Sequence, residues 1–315
     1  MNHRLQVIQK DSHKKQWKKE WKRDKELWLI SFALLVYMCV FYLAPMFGNV
    51  IAFVKFTPGK RLWDCEWVGL KYFEDFFNMP NMLQVLRNTL VMGGLNVTIG
   101  FMAPIVLALL LNELKLSWFK RTMQTISYLP HFVSWVVVAT LAQSILSTEG
   151  LLNTILLQLG LSDRAVNFIN QGETYWFMIT FLGIWKGVGW GSIIYISAIT
   201  GIDQELYQAG AVDGLGRWGM VRHVTLPGIA STVIVLFILN STGIINGGFE
   251  QHLLLGTATT REYYDNIDTY VYRYGLENGR YSFATAVGLL KGAISLLLLC
   301  VTNALSKKFT QQSIY

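Results

Sequence analysis

The sequence predicts an all-α membrane protein of six transmembrane helices. Three observations carry that reading. Only 15% of its 315 residues are charged and the mean hydropathy is positive, too apolar for an ordinary soluble domain. Runs 27–54, 88–112, 122–148 and 224–249 contain no Asp, Glu, Lys or Arg, and each exceeds the ~20 residues that cross a hydrocarbon core as a helix. Runs 175–200 and 283–305 are interrupted by one lysine each, Lys186 and Lys291. Buried helices of a soluble protein, the rival reading, rarely run so long without charge.

Residues 1–26 form a basic arm, the main source of the net charge of +7. Six crossings put this arm on the same side as Lys115, Lys120, Arg121, Arg217, Arg222, Lys307 and Lys308. The loops of the opposite side are longer and sparser in Lys and Arg, so the positive-inside rule expects both termini in the cytoplasm. Trp17 and Trp21, four apart among lysines, suit anionic headgroups better than a nucleic acid. No cleavage site follows the first run, which is too long for a signal sequence and reads as an anchor.

The loop between the first and second runs, 55–87, carries Trp63, Trp67, Tyr72, Phe73, Phe76 and Phe77, an aromatic density expected at the membrane–water interface. A short basic turn follows the second run, and the chain enters the third through Tyr128-Leu129-Pro130-His131. Residues 149–173 predict a short interfacial helix and a turn at Gly160. Gly183, Gly187, Gly189 and Gly191 in the fourth run permit close helix approach. The fifth run breaks at Asn246-Gly247-Gly248-Phe249, a loop follows, and the sixth returns the tail. One membrane domain, 27–310, is expected, with no Pro-, Ser- or Gly-rich linker to mark another.

Catalytic chemistry finds no foothold. The three cysteines and five histidines show no ligand spacing, so no metal site and no catalytic residue are expected. No glycine-rich loop ending in Gly-Lys-Ser/Thr is present, so the chain itself binds no ATP. An ion-coupled secondary transporter would place acids at broken helices, yet no apolar run contains Asp or Glu.

The most informative stretch is the loop 201–228. Asp203 is placed to cap a helix beginning at Gln204, and Gly214 or Gly216 to end it. Ala209, Gly210 and Ala211 offer a small face that lets a partner approach, with Tyr207 and Trp218 as anchors. On composition alone, an amphipathic helix lying on the membrane surface competes equally.

The loop resembles the signature of permease subunits of binding-protein-dependent ABC importers. Gln208-Ala209-Gly210 stand where that family has Glu-Ala-Ala, Asp213-Gly214 match its Asp-Gly, and Leu226-Pro227 its closing Leu-Pro. Gln208 replaces an acidic residue that pairs with a basic group on the ATPase; the charge-assisted part of that bond is lost, and Glu205, one turn earlier, offers a substitute. The segments Tyr128-Leu129-Pro130-His131-Phe132-Val133-Ser134-Trp135, Gly183-Ile184-Trp185-Lys186, Asn246-Gly247-Gly248-Phe249-Glu250-Gln251 and Asp268-Thr269-Tyr270-Val271-Tyr272-Arg273 resemble the maltose-permease-like branch, especially importers of oligosaccharides and complex polysaccharides. The resemblance spans about residues 27–310. It implies a type I ABC importer permease fold whose cytoplasmic coupling helix, between helices 4 and 5, docks in an ATPase through Glu205, Tyr207, Gln208, Ala209, Gly210, Ala211, Asp213, Gly214 and Trp218. It also implies a bacterial plasma-membrane location and a heterodimer with a second, homologous permease. Two copies of a cytoplasmic ATPase, which hold the ATP and Mg, and an extracellular solute-binding protein would complete the assembly. The residues alone leave a peptide, lipid or phosphate cargo open.

Polar groups at mid-membrane are costly and usually face a cavity or a partner. Trp185, Lys186, Trp190 and Tyr195 in the fourth run, Asn240, Asn246, Glu250 and Gln251 around the end of the fifth, and Lys291 in the sixth are the candidate lining of a saccharide path. Sugars offer hydroxyls to such polar groups and C–H faces to aromatic rings. The competing reading makes the lysines structural, paired for example with Glu250.

Overall fold

The computed structural model describes residues 23–310, so the basic arm, apart from residues 23–26, lies outside the described part. Its helices are α1 (Lys25–Phe53), α2 (Lys71–Phe77), α3 (Met82–Asn112), α4 (Ser117–Tyr128), α5 (Trp135–Leu146) and α6 (Leu151–Gln158). Then come α7 (Gly172–Thr200), α8 (Gln204–Val212), α9 (Arg217–Ile244), α10 (Glu250–Leu255), α11 (Ile267–Tyr270) and α12 (Tyr281–Thr310). Among the described residues, helical stretches at six places are long and apolar enough to cross a membrane. Extended pairing is limited there to one antiparallel bridge, Val54 with Trp67.

Prolines shape the spans. Pro45, Pro104 and Pro227 each lack the N–H that would bond four residues back. Each follows a widened helical turn, at Cys39–Leu43, Asn96–Gly100 and Val221–Thr225 respectively, which lets the helix continue past the missing donor. The fifth span therefore begins at Arg217, inside the expected loop 201–228, and ends at Ile244 rather than at residue 249. Pro130 behaves differently. The expected single run 122–148 is broken by a tight turn at Leu129–Phe132, and Ser134 caps the new helix α5 by accepting from the Val137 N–H at 3.4 Å.

Three clusters of buried side chains hold the bundle. Phe101, Ile105 and Ala108 of α3 pack with Tyr195 and Ile199 of α7 and Ile229 of α9. Met92 joins Ala139, Ala142, Tyr175, Ile179 and Leu255. Phe76, Val85, Ile245, Ile267, Tyr270, Phe283 and Val287 form the third, so Phe76 of the aromatic loop is core, whereas Trp63 and Trp67 stay exposed. Two of the four α7 glycines mediate close approach: a β-carbon on Gly189 would lie 2.0 Å from the Ser127 carbonyl oxygen and one on Gly191 3.0 Å from Pro104, while Gly183 and Gly187 face open space.

Helix α1 stands apart. None of the residues of its apolar window is buried, and only its last turns, Phe47–Phe53, pack against α12. There the Ser282 hydroxyl donates to the Val54 carbonyl at 2.7 Å and accepts from the Phe56 N–H at 3.0 Å.

Candidate functional site

The α7–α9 connection is built as a rigid projection. Asp203 caps α8, its carboxylate accepting from the Glu205 N–H at 2.9 Å. Gly214, at φ +77, supplies the left-handed turn that ends it, a conformation strained for other residues. Two expected contact residues turn inward. The Tyr207 hydroxyl hydrogen-bonds that of Thr225 at 3.0 Å, tying α8 to α9. Gly210 is buried, and a β-carbon there would sit 2.9 Å from the Met220 sulfur. Small size at 210 thus serves packing of the loop on itself, and Tyr207, half-buried, ties the helix to its own bundle. Glu205, Gln208, Ala209, Ala211 and Asp213 remain exposed, flanked by apolar side chains that no described residue covers: Leu206 at 53% exposure, Trp218 at 81% and Val212 at 88%.

A second locus lies at the Pro130 break. Lys186, midway along α7, donates from Nζ to the His131 carbonyl at 2.7 Å, meeting a C=O that the broken helix leaves unpaired. Its ammonium lies 5.9 Å from the centre of the Trp135 ring. The His131 imidazole stacks on Trp190, with centroids 4.6 Å apart and planes at 3°, and Phe132 meets Trp190 edge-on. Trp185 closes one end of an apolar groove of about 730 Å³ running between α5 and α7 to Phe168.

A third locus forms where α9 ends. Gly247 and Gly248 break the chain, with Gly248 at φ +88, and their carbonyls are claimed by side chains: Gln251 and His252 donate to Gly247 at 3.2 and 3.1 Å, and Asn266 to Gly248 at 3.0 Å. The buried His252 also meets the Tyr175 hydroxyl through Nδ1 at 3.2 Å; burial holds its pKa down to about 4, against the pull of the Gly247 carbonyl. Helix α10, which follows this break, packs on α5, which follows the other. Residues 250–280, expected as a loop, are instead a folded insert. Asn88 donates to the carbonyls of Glu262 and Asp265, both at 2.9 Å, Thr89 accepts from the Ile267 N–H at 3.1 Å, and buried Asp265 is ion-paired with Arg273.

The two lysines therefore differ. Lys291 is ion-paired with Asp268, not with Glu250, which is exposed at the start of α10. Lys186 takes part in no ion pair among the described residues. Asn246 lies near Ser295 at 3.5 Å and bonds the Thr242 carbonyl at 3.1 Å. Tyr195 is 4% exposed and packed edge-on to Phe101, so it belongs to the core; with Asn240 it borders a cavity of about 370 Å³ between α3, α7 and α9. In the sequence, His131 and Asp268 stand in the resemblance segments without an assigned role, and His252 and Asp265 have none either. The one local signal was the Asn266-to-Thr269 spacing, which forms a reciprocal cap.

Residues 100–311 match the family described as binding-protein-dependent transport system inner membrane component. The chain is similar to Protein LplB of Bacillus subtilis (strain 168), 40% identical over 95% of this chain and 94% of the relative. It is also similar to the polygalacturonan/rhamnogalacturonan transport system permease protein YteP of the same organism, 41% identical over 98% and 96%. Among solved structures it resembles a chain of a bacterial alginate ABC transporter in complex with an alginate pentasaccharide-bound periplasmic protein, with a TM-score of 0.85 and 35% identity over 94% of this chain and 99% of that one. This six-span chain belongs to the family of binding-protein-dependent transport system inner membrane components.

Proposed function

We propose that this chain is the permease subunit of an ATP-driven ABC importer that carries an oligosaccharide or complex saccharide into the bacterial cytoplasm. The cargo class is supported by the relative named for polygalacturonan and rhamnogalacturonan transport and by the alginate transporter. The observation that carries the coupling mechanism is the uncovered rim of α8: Leu206, Ala209, Val212 and neighbouring Trp218, presented on a helix capped at its start and tied to α9 at its middle. An apolar rim around a short helix is a seat for another protein. That protein is a separate ATPase, two copies of which hold ATP and Mg and move α7 and α9 through α8.

In this reading α8 and both termini face the cytoplasm, as the basic residues favour. Helix α1, bare along its apolar length, reaches a second, homologous permease and lipid. The solute-binding protein delivers cargo to the opposite face. The path passes the two broken helices, where Trp185, Lys186, Trp190, Asn246, Glu250 and Gln251 are not sealed inside the bundle.

The test uses the complete assembly with Ala209→Trp and Ala211→Trp together, since both positions are exposed and the fold tolerates bulk there. The ATPase should fall away in co-purification while the second permease is retained. Stoichiometric ATPase in that preparation, or labelling of residue 209 from outside the cell, refutes the reading.

A further inference from the structure

Lys186 sits 14 residues from either end of the 29-residue helix α7, where a charge without a counter-charge is costly. Its protein contacts are a neutral carbonyl and an aromatic face. These orient an ammonium without neutralising it, and they occupy one of its three N–H donors. The other span lysine shows the contrast, since Lys291 is matched by Asp268. Beside Lys186, Trp190 is 48% exposed and held flat by its stack on His131. The site thus offers an unspent cation next to a fixed, open aromatic face. A pyranose ring bearing a carboxylate matches both, with its C–H face on the indole and its anion on the ammonium. A neutral sugar uses only the first.

We infer that Lys186, with Trp190, is the charge-selecting element of the path, favouring glycans that carry carboxylates over neutral ones. The inference rests on the carbohydrate-import reading above and adds the chemical class of the cargo. A charge-assisted contact is worth about ten- to a hundredfold in selectivity.

The experiment uses the complete transporter in proteoliposomes with its solute-binding protein and ATP. Uptake of trigalacturonate is compared with uptake of its fully methyl-esterified form. The preference ratio is then measured for the wild type, Lys186→Arg and Lys186→Gln. Selection by the binding protein is common to all three and cancels between variants. The expected result is a ratio retained in Lys186→Arg and reduced at least about tenfold in Lys186→Gln, whose amide is a polar donor without the charge. An unchanged ratio in Lys186→Gln overturns the inference. So does loss of the second permease from that variant on gel filtration, which would assign the charge to a carboxylate across the subunit interface. Wild-type vesicles that take up neither compound, although the ATPase is bound and active, would sink the carbohydrate reading and this inference with it. An effect confined to Lys186→Gln leaves the carbohydrate reading standing and supports the charge assignment.

Discussion

Gly93 meets the backbone of Ile244 so closely that a β-carbon on it would lie 2.0 Å from the Ile244 carbonyl oxygen. This contact presses α3 against the last turn of α9, immediately before the break at Gly247. Gly93→Ala must push two backbones apart, an overpacking cost of about 1–3 kcal/mol. Gly94→Ala, with open space around it, gains helix propensity instead. Thermal unfolding in detergent should show the first variant lowered and its neighbour unchanged or raised.

Asp265 is 2% exposed and paired with Arg273, and it also accepts from the Thr269 hydroxyl. Asp265→Asn leaves the arginine without its counter-charge, a loss on the order of 3 kcal/mol. The double variant Asp265→Asn with Arg273→Met should recover part of that loss. A double variant no more stable than Asp265→Asn alone would show that Arg273 is not the partner that matters.

His252 is neutral when buried, with a folded pKa of about 4 against 6.5 for an unperturbed histidine. A depressed pKa contributes stability that is complete above about 6.5 and is lost as pH falls toward 4. The difference amounts to ~3 kcal/mol across that window. Between pH 7 and 4.5 the wild type should lose stability more steeply than His252→Gln, which has no proton to take up. Parallel pH profiles would remove His252 as the cause.

Gln208 is exposed on α8 at the position where the resembling family carries an acid. If α8 seats against a cation of the proposed ATPase, Gln208→Glu gives a charge-assisted bond there, and such bonds exceed neutral ones by about 1 kcal/mol. The ATPase should dissociate several-fold more slowly, with the gain shrinking as salt is raised. A salt-independent gain, or none, would show that no cation faces this position.

The six spans were legible because lipid demands long uncharged runs, and the helix and turn at 203–214 were legible because their cap and turn residues are local. What escaped depends on partners distant in the chain. For Lys291 the sequence suggested Glu250; Asp268, 23 residues earlier, becomes its counter-charge only when α11 folds back against α12. The tie of Tyr207 to Thr225 likewise spans 18 residues and left no local mark. Pro130 looked like Pro45, Pro104 and Pro227 in an apolar run, yet it alone breaks its helix. The difference lies in Ser134, which caps the next helix, and in Lys186, which takes the stranded carbonyl.

The bareness of α1 has a consequence for the cell. A subunit made without its companions offers the bilayer a helix anchored only at one tip, with nothing of its own to lean on. A helix held by so few contacts opens readily to proteolysis, so copies lacking the proposed second permease would be cleared. Expression of this chain alone should therefore yield a short-lived protein, and co-production of its mates should lengthen its half-life without any change in its synthesis.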